Sequence, residues 1–334
     1  TLKLKILGND SPSVERHSKD VDAYQEYLKG RFCWNNRNKE NLLDGISHFG
    51  SAIEKDSNYS LAYSGLADSH SVQGWYNYNQ PNISYSKAKK YASKAIENGT
   101  TMPEGYISLA YINHHYDWNW ELADSNFKKG IQLNYDYSIG HHWYAIFLSS
   151  RSNFLEAETH INNAKQLDPL SMVIKTAEGW IKYMSGNYKN VVNLLNEAIS
   201  KDTNFPWSYY VLAQAYEEIG DYDLALKNYK HACDIGGKSP FYLSGLAHIQ
   251  GISNQKDNAL ATIKILKDLK TKSFISSLDL ALAGMGIVKE NKTLDLIKNG
   301  IEERVSLIPY LFVDPRFKNF LSDDLFDIIE NRKI

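Results

Sequence analysis

The residues WSYYVLAQAYEEIGDYDLALKNYKHA (207–232) contain the pattern that decides the fold. A large residue and a small one, Leu212-Ala213, precede Gly220, and two alanines seven residues apart, Ala225 and Ala232, follow it. Apolar residues at these spacings predict two amphipathic helices, and glycine commonly ends a helix. Because small residues let two antiparallel helices approach closely, the stretch predicts a helix hairpin.

The pattern recurs along the chain with a nearly constant period. The first small residue of the second helix occupies eight positions, of which the last six are 34 residues apart: Gly45, Ala88, Ala123, Ala157, Val191, Ala225, Ala259 and Thr293. The large–small pair of the first helix recurs upstream of them: Leu66-Ala67, Leu109-Ala110, Tyr144-Ala145, Leu212-Ala213, Leu246-Ala247 and Leu280-Ala281, with Gly30 and Gly179 in the small position of the other two copies. One hairpin cannot bury both its faces, so eight stacked pairs predict an all-α solenoid.

These residues resemble the tetratricopeptide repeat (TPR) family over about residues 22–304, most closely in the sixth copy. The resemblance implies a right-handed superhelix in which the first helices line the concave surface. The second copy departs from the pattern, since about nine extra residues (74–82) separate its two helices. This aromatic and polar insertion is predicted to be the main irregularity of the array.

Four segments are similar to parts of the long C-terminal TPR regions of prokaryotic regulators, which follow a winged-helix, protein-kinase or nucleotide-cyclase domain. They are Ala23–Trp34, Tyr116–Trp120, His141–Ala145 and Val313–Phe317. The resemblance implies a regulatory region at the end of a larger protein. Residues 1–20 are then expected to be a linker or the tail of a preceding domain, and residues 21–305 the repeat array.

The last segment, 306–334, is predicted to cap the final repeat, because a terminal repeat has an outer face without a neighbour. Ser322 followed by two aspartates is a good helix start. Leu325, Ile328 and Ile329 lie at helical spacing and give that helix one apolar face.

Composition and motifs argue against several classes of function. The formal charge of -2 and the pI of about 6.5 give no electrostatic drive toward nucleic acid. No run approaches 18 apolar residues, so no membrane insertion is expected. Two distant cysteines form neither a disulfide framework nor a zinc motif, which favours the cytoplasm. No P-loop, nucleotide fingerprint, nucleophile elbow or HExxH motif occurs; we therefore expect no enzyme activity, cofactor or bound metal.

Two histidine pairs lie in successive first helices: His114-His115 and His141-His142. Metal binding or pH sensing is one interpretation of neighbouring histidines. Packed or hydrogen-bonded side chains within a helix pair are the alternative that we favour, because tryptophans flank both pairs.

The concave surface is the predicted binding site, for which we chose the first-helix residues that face away from the second helix. Most are aromatic and few are charged: Tyr111, His114, His142, Trp180, Tyr183, Trp207, Tyr210, Gln214, Phe241 and His248. Aromatic side chains with a polar tip suit extended peptides or sugars. The lysines and asparagines with which some TPR domains hold acidic chaperone tails are missing, which argues against that role.

The sequence therefore predicts a non-catalytic protein-interaction scaffold that takes up an extended peptide, or a partner domain of the same chain, in an aromatic groove. The alternative is a sensing domain in which a sugar or peptide alters the superhelix and signals to a missing effector domain. A scaffold should show an open channel, whereas a sensor should show a bounded pocket near copies 4–6. The oligomeric state is not predicted.

Overall fold

The computed structural model describes residues 18–269 and 274–332, and within them it contains helices and turns but no strand. Eight helix pairs follow one another, numbered here pair 1 to pair 8. Their helices are α1 (Val21–Asn36), α2 (Lys39–Lys55), α3 (Ser60–Trp75), α4 (Pro81–Asn98), α5 (Pro103–Ile112), α6 (Trp120–Leu133), α7 (Ser138–Ser150), α8 (Phe154–Leu167), α9 (Met172–Met184), α10 (Tyr188–Lys201), α11 (Pro206–Ile219), α12 (Tyr222–Ile235), α13 (Pro240–Ile252), α14 (Lys256–Leu269), α15 (Ser277–Gly284) and α16 (Glu290–Glu302). A short π-helix, Asn113–Asp117, extends α5. The predicted all-α solenoid is confirmed.

The packing is that of a continuous stack. Each first helix contacts the second helix of its own pair, the second helix of the preceding pair and the first helix of the next pair. The small residues of the repeat lie where helices meet. A Cβ atom added at Gly30 would be 2.6 Å from the ring of Phe49, and one at Gly179 would be 3.0 Å from Leu195. These positions must be small because a bulky residue of the second helix fills the groove opposite.

The superhelix closes on itself. The connection between α3 and α4, residues 76–80, reaches from pair 2 to pair 8, where Asn77 Nδ2 donates to Asp279 Oδ2 at 3.0 Å. Pair 1 and pair 4 meet in the interior, with the Trp34 and Trp143 rings 6.3 Å apart. The predicted insertion in the second copy is therefore an internal contact between distant repeats.

The C-terminal segment after α16 contains two 3₁₀ turns, Ile308–Tyr310 and Pro315–Phe320, and the helix α17 (Asp323–Glu330). The Ser322 side chain accepts from Leu325 N, so α17 begins at the predicted cap residue. The segment contacts the last pair, where Arg332 pairs with Glu302, and it also reaches repeats far from the end of the array. Ser306 bonds to Tyr85 in pair 2, and Trp120 in pair 3 donates to Glu330.

The boundaries of the array follow from these elements. Its first helix begins at Val21 and its last pair ends at Glu302. The predicted linker lies mostly outside the described residues, which begin at Ser18. No helix within the described ranges is long and apolar enough to cross a membrane.

Candidate functional site

The ten residues predicted to line the groove are all buried. They belong to first helices or, for His114, to the π-helix that follows one. Several first helices are enclosed on every side; in α7 all residues from Gly140 to Ser150 are buried. The structure thus gathers the ten residues in the interior of the superhelix, and their role in partner binding remains a prediction.

The C-terminal segment occupies the concave side of the superhelix. The ring of Tyr310 lies 4.5 Å from that of Trp180 and 5.4 Å from that of His114, between pairs 5 and 3. Its hydroxyl is 3.0 Å from His115 Nε2. Trp75, at the end of α3, closes the cluster 5.8 Å from Tyr310. Tyr310 therefore contacts pairs 2, 3 and 5, all of which are distant from it in sequence.

A buried ion pair follows Tyr310 along the same segment. Arg316 Nη2 is 2.5 Å from Asp314 Oδ2, and both side chains are almost fully enclosed. The groove supplies the remaining partners, since Tyr183 Oη donates to Asp314 at 3.1 Å and Arg316 Nη1 donates to Tyr210 Oη at 3.1 Å. The segment thus combines apolar anchors with charged groups whose hydrogen bonds the groove completes.

The other predicted groove residues mainly contact one another or neighbouring side chains. Trp207 lies 5.9 Å from Trp180, and Phe241 lies 4.7 Å from Tyr210. His248 Nε2 is 2.7 Å from Glu217 Oε1. Gln214 differs, because neither its amide nitrogen nor its oxygen has a partner in the structure. These contacts fill the inward side of copies 4–6 with side chains. A cavity of about 270 Å³ does lie near copies 4 and 5, but none of the ten predicted groove residues lines it.

All four histidines of the two pairs are buried, and His114, His115 and His141 are hydrogen-bonded, whereas the buried Nε2 of His142 has no partner. His114 bonds to Ser150, and His141 Nδ1 lies 2.8 Å from Nδ1 of His160. Burial lowers the pKa of His115 to about 3 and, with the adjacent His141, that of His160 to about 4, because the interior disfavours the charged ring. Within the described ranges, no group of three or more His, Cys, Asp or Glu side chains could hold a metal ion.

Sequence reasoning missed residues at the insertion and in the C-terminal segment that fill the groove. They are Trp75 and Tyr76 at the insertion and Tyr310, Asp314, Arg316 and Phe317 in the C-terminal segment. The insertion stood out as an aromatic departure from the repeat, and Val313–Phe317 stood out by its similarity to regulator segments; these were the available signals. Neither signal indicated that the segments turn inward, because contacts across the superhelix leave no periodic mark in the sequence.

The repeat is also found by comparison with known proteins. Residues 194–227 match the family model of the tetratricopeptide repeat. Over 232 residues the chain is 25% identical to Superkiller protein 3 of Schizosaccharomyces pombe, which is 65% of this chain but 15% of that protein. The chain therefore spans a small part of the length of this relative.

Solved structures share the fold. Yeast Tom70 superimposes with a TM-score of 0.55 at 18% identity, over 94% of this chain and 68% of that one. A monomeric variant of IFIT1 with m7Gppp-AAAA has a TM-score of 0.64 at 13% identity, over 93% of this chain and 70% of that one. The class of the molecule is thus an all-α solenoid, one part of which, residues 194–227, matches the tetratricopeptide repeat. At these identities the likeness concerns the fold alone.

Proposed function

We propose that this chain is a non-catalytic protein-interaction scaffold that binds an extended peptide in its concave groove. The observation that carries the proposal is the way in which the C-terminal segment occupies that groove. Tyr310 and Phe317 are buried there as apolar anchors, and Asp314 and Arg316 bond to groove hydroxyl groups. Buried aromatic anchors surrounded by satisfied polar contacts are typical of peptide recognition.

The mechanism that we propose is competition between the segment and a partner. The segment carries short 3₁₀ turns instead of a further helix pair, so it fills the groove without being another repeat. A partner with an aromatic residue and an adjacent charged pair could make the same contacts. Because the segment belongs to the same chain, its effective concentration at the groove is high, and a partner must compete against it.

The wider context is part of the same proposal. The four segments that resemble regulator C-terminal regions include Val313–Phe317, which lies within the groove-bound segment. We infer that the chain is the partner-binding or regulatory part of a larger signalling or transcriptional regulator acting in the cytoplasm. Release of the segment would then make the groove available when a partner is present.

The test uses the full chain and a labelled synthetic peptide covering residues 305–320. Tyr310→Ala removes the anchor of the internal segment, so we expect the peptide to bind this variant at least about tenfold more tightly than the wild type. Phe326→Ala is the matched control, since this aromatic residue of the same C-terminal region is 44% exposed and lies outside the groove-bound stretch.

A second peptide that itself carries Tyr310→Ala should not bind. Equal binding of the native peptide to wild type, Tyr310→Ala and Phe326→Ala would contradict the proposal. Circular dichroism of each variant separates loss of the segment from loss of the fold. A Tyr310→Ala protein that stays helical and still fails to bind the peptide would also count against it.

A further inference from the structure

A second cleft, which shares Tyr76 with the groove, lies where four connections meet. Its inner compartment, of about 60 Å³, is lined by the α1–α2 turn, the α3–α4 loop and the starts of α11 and α13, including Arg37, Tyr76 and Tyr242. An outer compartment of about 460 Å³ adjoins it. Four residues line both: Asn38, Tyr78, Ile235 and Gly236. The larger volume lies in the usual range for small-molecule sites and is too small for a folded partner.

Positive charge dominates this cleft. Arg37 lies in the inner compartment, its guanidinium 4.2 Å from the ring centre of Trp34. Its Nε is buried without a hydrogen-bond partner, and no ion pair involves Arg37 in the described parts of the chain. Burial lowers the pKa of Arg37, because its lost hydration outweighs the opposing effects of Tyr76, Tyr111 and Asp68. An unpaired, half-buried arginine of this kind is suited to an anion.

The outer compartment adds to the charge. Lys39 and Lys238 line it, and Glu40 is the one carboxylate among its described lining residues. Helices α2 and α13 begin at this compartment, at Lys39 and Pro240. The first turn of a helix carries unsatisfied N–H groups and a partial positive charge, both of which favour a bound anion.

Two buried polar atoms in the outer compartment lack partners. Asn77 is 1% exposed and its Oδ1 accepts no hydrogen bond, although its Nδ2 donates to Asp279. Ser239 is 8% exposed, and its hydroxyl caps no backbone group of α13 and bonds to nothing else. Buried polar groups are almost always hydrogen-bonded. A ligand that donates to Asn77 and accepts from Ser239 would satisfy both.

Aromatic side chains supply the apolar wall. Tyr76 and Tyr78 stack with ring centres 5.5 Å apart at 21°. The ring of Tyr242 fits against Gly236, where an added Cβ would lie 2.5 Å from it. The cleft therefore offers a planar surface between the unpaired arginine and the unpaired hydroxyl and amide oxygens.

We propose that the cleft binds a small organic anion, a phosphate or carboxylate attached to an aromatic body. The anionic group contacts Arg37 in the inner compartment, the aromatic body lies against Tyr78 and Tyr242, and a hydroxyl or amine of the ligand reaches Asn77. Such a ligand touches connections of pairs 1, 2 and 6, and would hold distant repeats together. The site shares Tyr76 with the peptide groove but contains none of the residues that bind the C-terminal segment there, and its test uses different ligands and variants from that of the scaffold proposal.

Phenyl phosphate, benzoate and inorganic phosphate are the probes, measured by isothermal titration calorimetry on the full chain. We expect phenyl phosphate or benzoate to bind the wild type more tightly than inorganic phosphate does, and whichever binds identifies the anionic group. Arg37→Gln should weaken that binding at least about tenfold. Arg151→Gln is the matched control, because Arg151 also follows a first helix and lies over a tryptophan, 4.9 Å from Trp120, but outside the cleft.

Ser239→Ala keeps the test informative if Arg37→Gln unfolds the chain. Its hydroxyl bonds nothing in the folded protein, so the change should leave the melting temperature unchanged while weakening the probe roughly threefold to tenfold. Failure of both aromatic anions to bind the wild type at about 10 mM would overturn the proposal. So would equal affinity in the wild type and both cleft variants.

Discussion

The second helices and the first helices of the same pairs are buried to very different extents. In α10 only Val191, Leu195 and Ala198 are buried, which is one stripe at helical spacing. In α7 eleven consecutive residues, Gly140–Ser150, are buried on every face. The outer helices are thus ordinary amphipathic surface helices, while the inner helices behave like helices in the core of a large protein.

The difference arises from what covers each inner helix. Its outward face packs on its own second helix, as the repeat requires. Its inward face is covered by residues from far along the chain, as when the C-terminal Tyr310 covers Trp180 of pair 5 and His114 of pair 3. A repeat array usually depends on nearest neighbours alone; here the interior also depends on contacts between distant repeats.

The largest effect that tests this comparison should come from Trp180→Ala. Trp180 contacts Trp75, Trp207 and Tyr310, so its removal leaves a cavity where three separate parts of the chain meet. We expect a loss of about 3–5 kcal/mol in the free energy of unfolding, measured by urea denaturation. Leu155→Ala, at an outer-helix residue that is 82% exposed, is the control and should change it by less than about 0.5 kcal/mol.

If the interior were only a loose collection of side chains, Trp180→Ala would cost little more than the control. That outcome would mean that the contacts between first and second helices, called here the outer seams, hold the array together without the internal contacts. A single cooperative unfolding transition for all repeats, shifted to lower urea concentration in Trp180→Ala, would show that the internal contacts link the pairs.

The outer seams are the part of the fold that the sequence predicts well. The small residues 34 apart in the second helices located the helix pairs, because close approach of two helices leaves a strict local requirement. Gly30 illustrates this: a side chain there would overlap the ring of Phe49. The start of α17 at Ser322 was predicted for a similar local reason, since a helix cap depends on neighbouring residues only.

Of the predicted site, the structure shows only where the residues lie, and their role in partner binding stays a prediction. The chosen first-helix residues do face the interior, because their direction follows from the helix period. Their burial could not be predicted, since it depends on Tyr310 and Tyr76 folding inward from outside the repeat pattern. Arg37 escaped notice because a single arginine in a turn has no pattern; only the assembled cleft shows that it lacks an anionic partner.

A smaller effect is expected on acidification, through the buried His115. Its folded pKa of about 3 lies below the ordinary 6.5, so the unfolded chain binds the proton more readily. The stability that this group contributes is present above about pH 6.5 and is lost as the pH falls toward the folded pKa. Between pH 7 and pH 5 that loss is about 2 kcal/mol for His115.

His115→Gln isolates this contribution. Burial raises the pKa of Glu104 to about 7 and that of Asp279 to about 6, so these carboxyl groups gain stability over the same acid range and partly offset the histidines. The measurement is therefore the difference between the variant and the wild type, taken from urea denaturation at several pH values. The variant should lose less stability than the wild type below pH 6.5; parallel curves would refute the assignment.

The smallest effect comes from Tyr85, an outer-helix residue that contacts the C-terminal segment. Its hydroxyl lies 2.8 Å from Ser306 Oγ, which also donates to Gly74 O, so Tyr85→Phe removes one bond without isolating Ser306. We expect a loss of about 1 kcal/mol in the free energy of unfolding. The control Tyr63→Phe, which loses a hydrogen bond to Ser57 O at an exposed site, should lose less.

Hydrogen exchange gives the sharper result: the amides of residues 305–317 should exchange faster in Tyr85→Phe while those of the outer helices are unchanged. If exchange became faster in all helices alike, the segment and the array would open together. The internal contacts and the contacts between first and second helices would then form one cooperative unit.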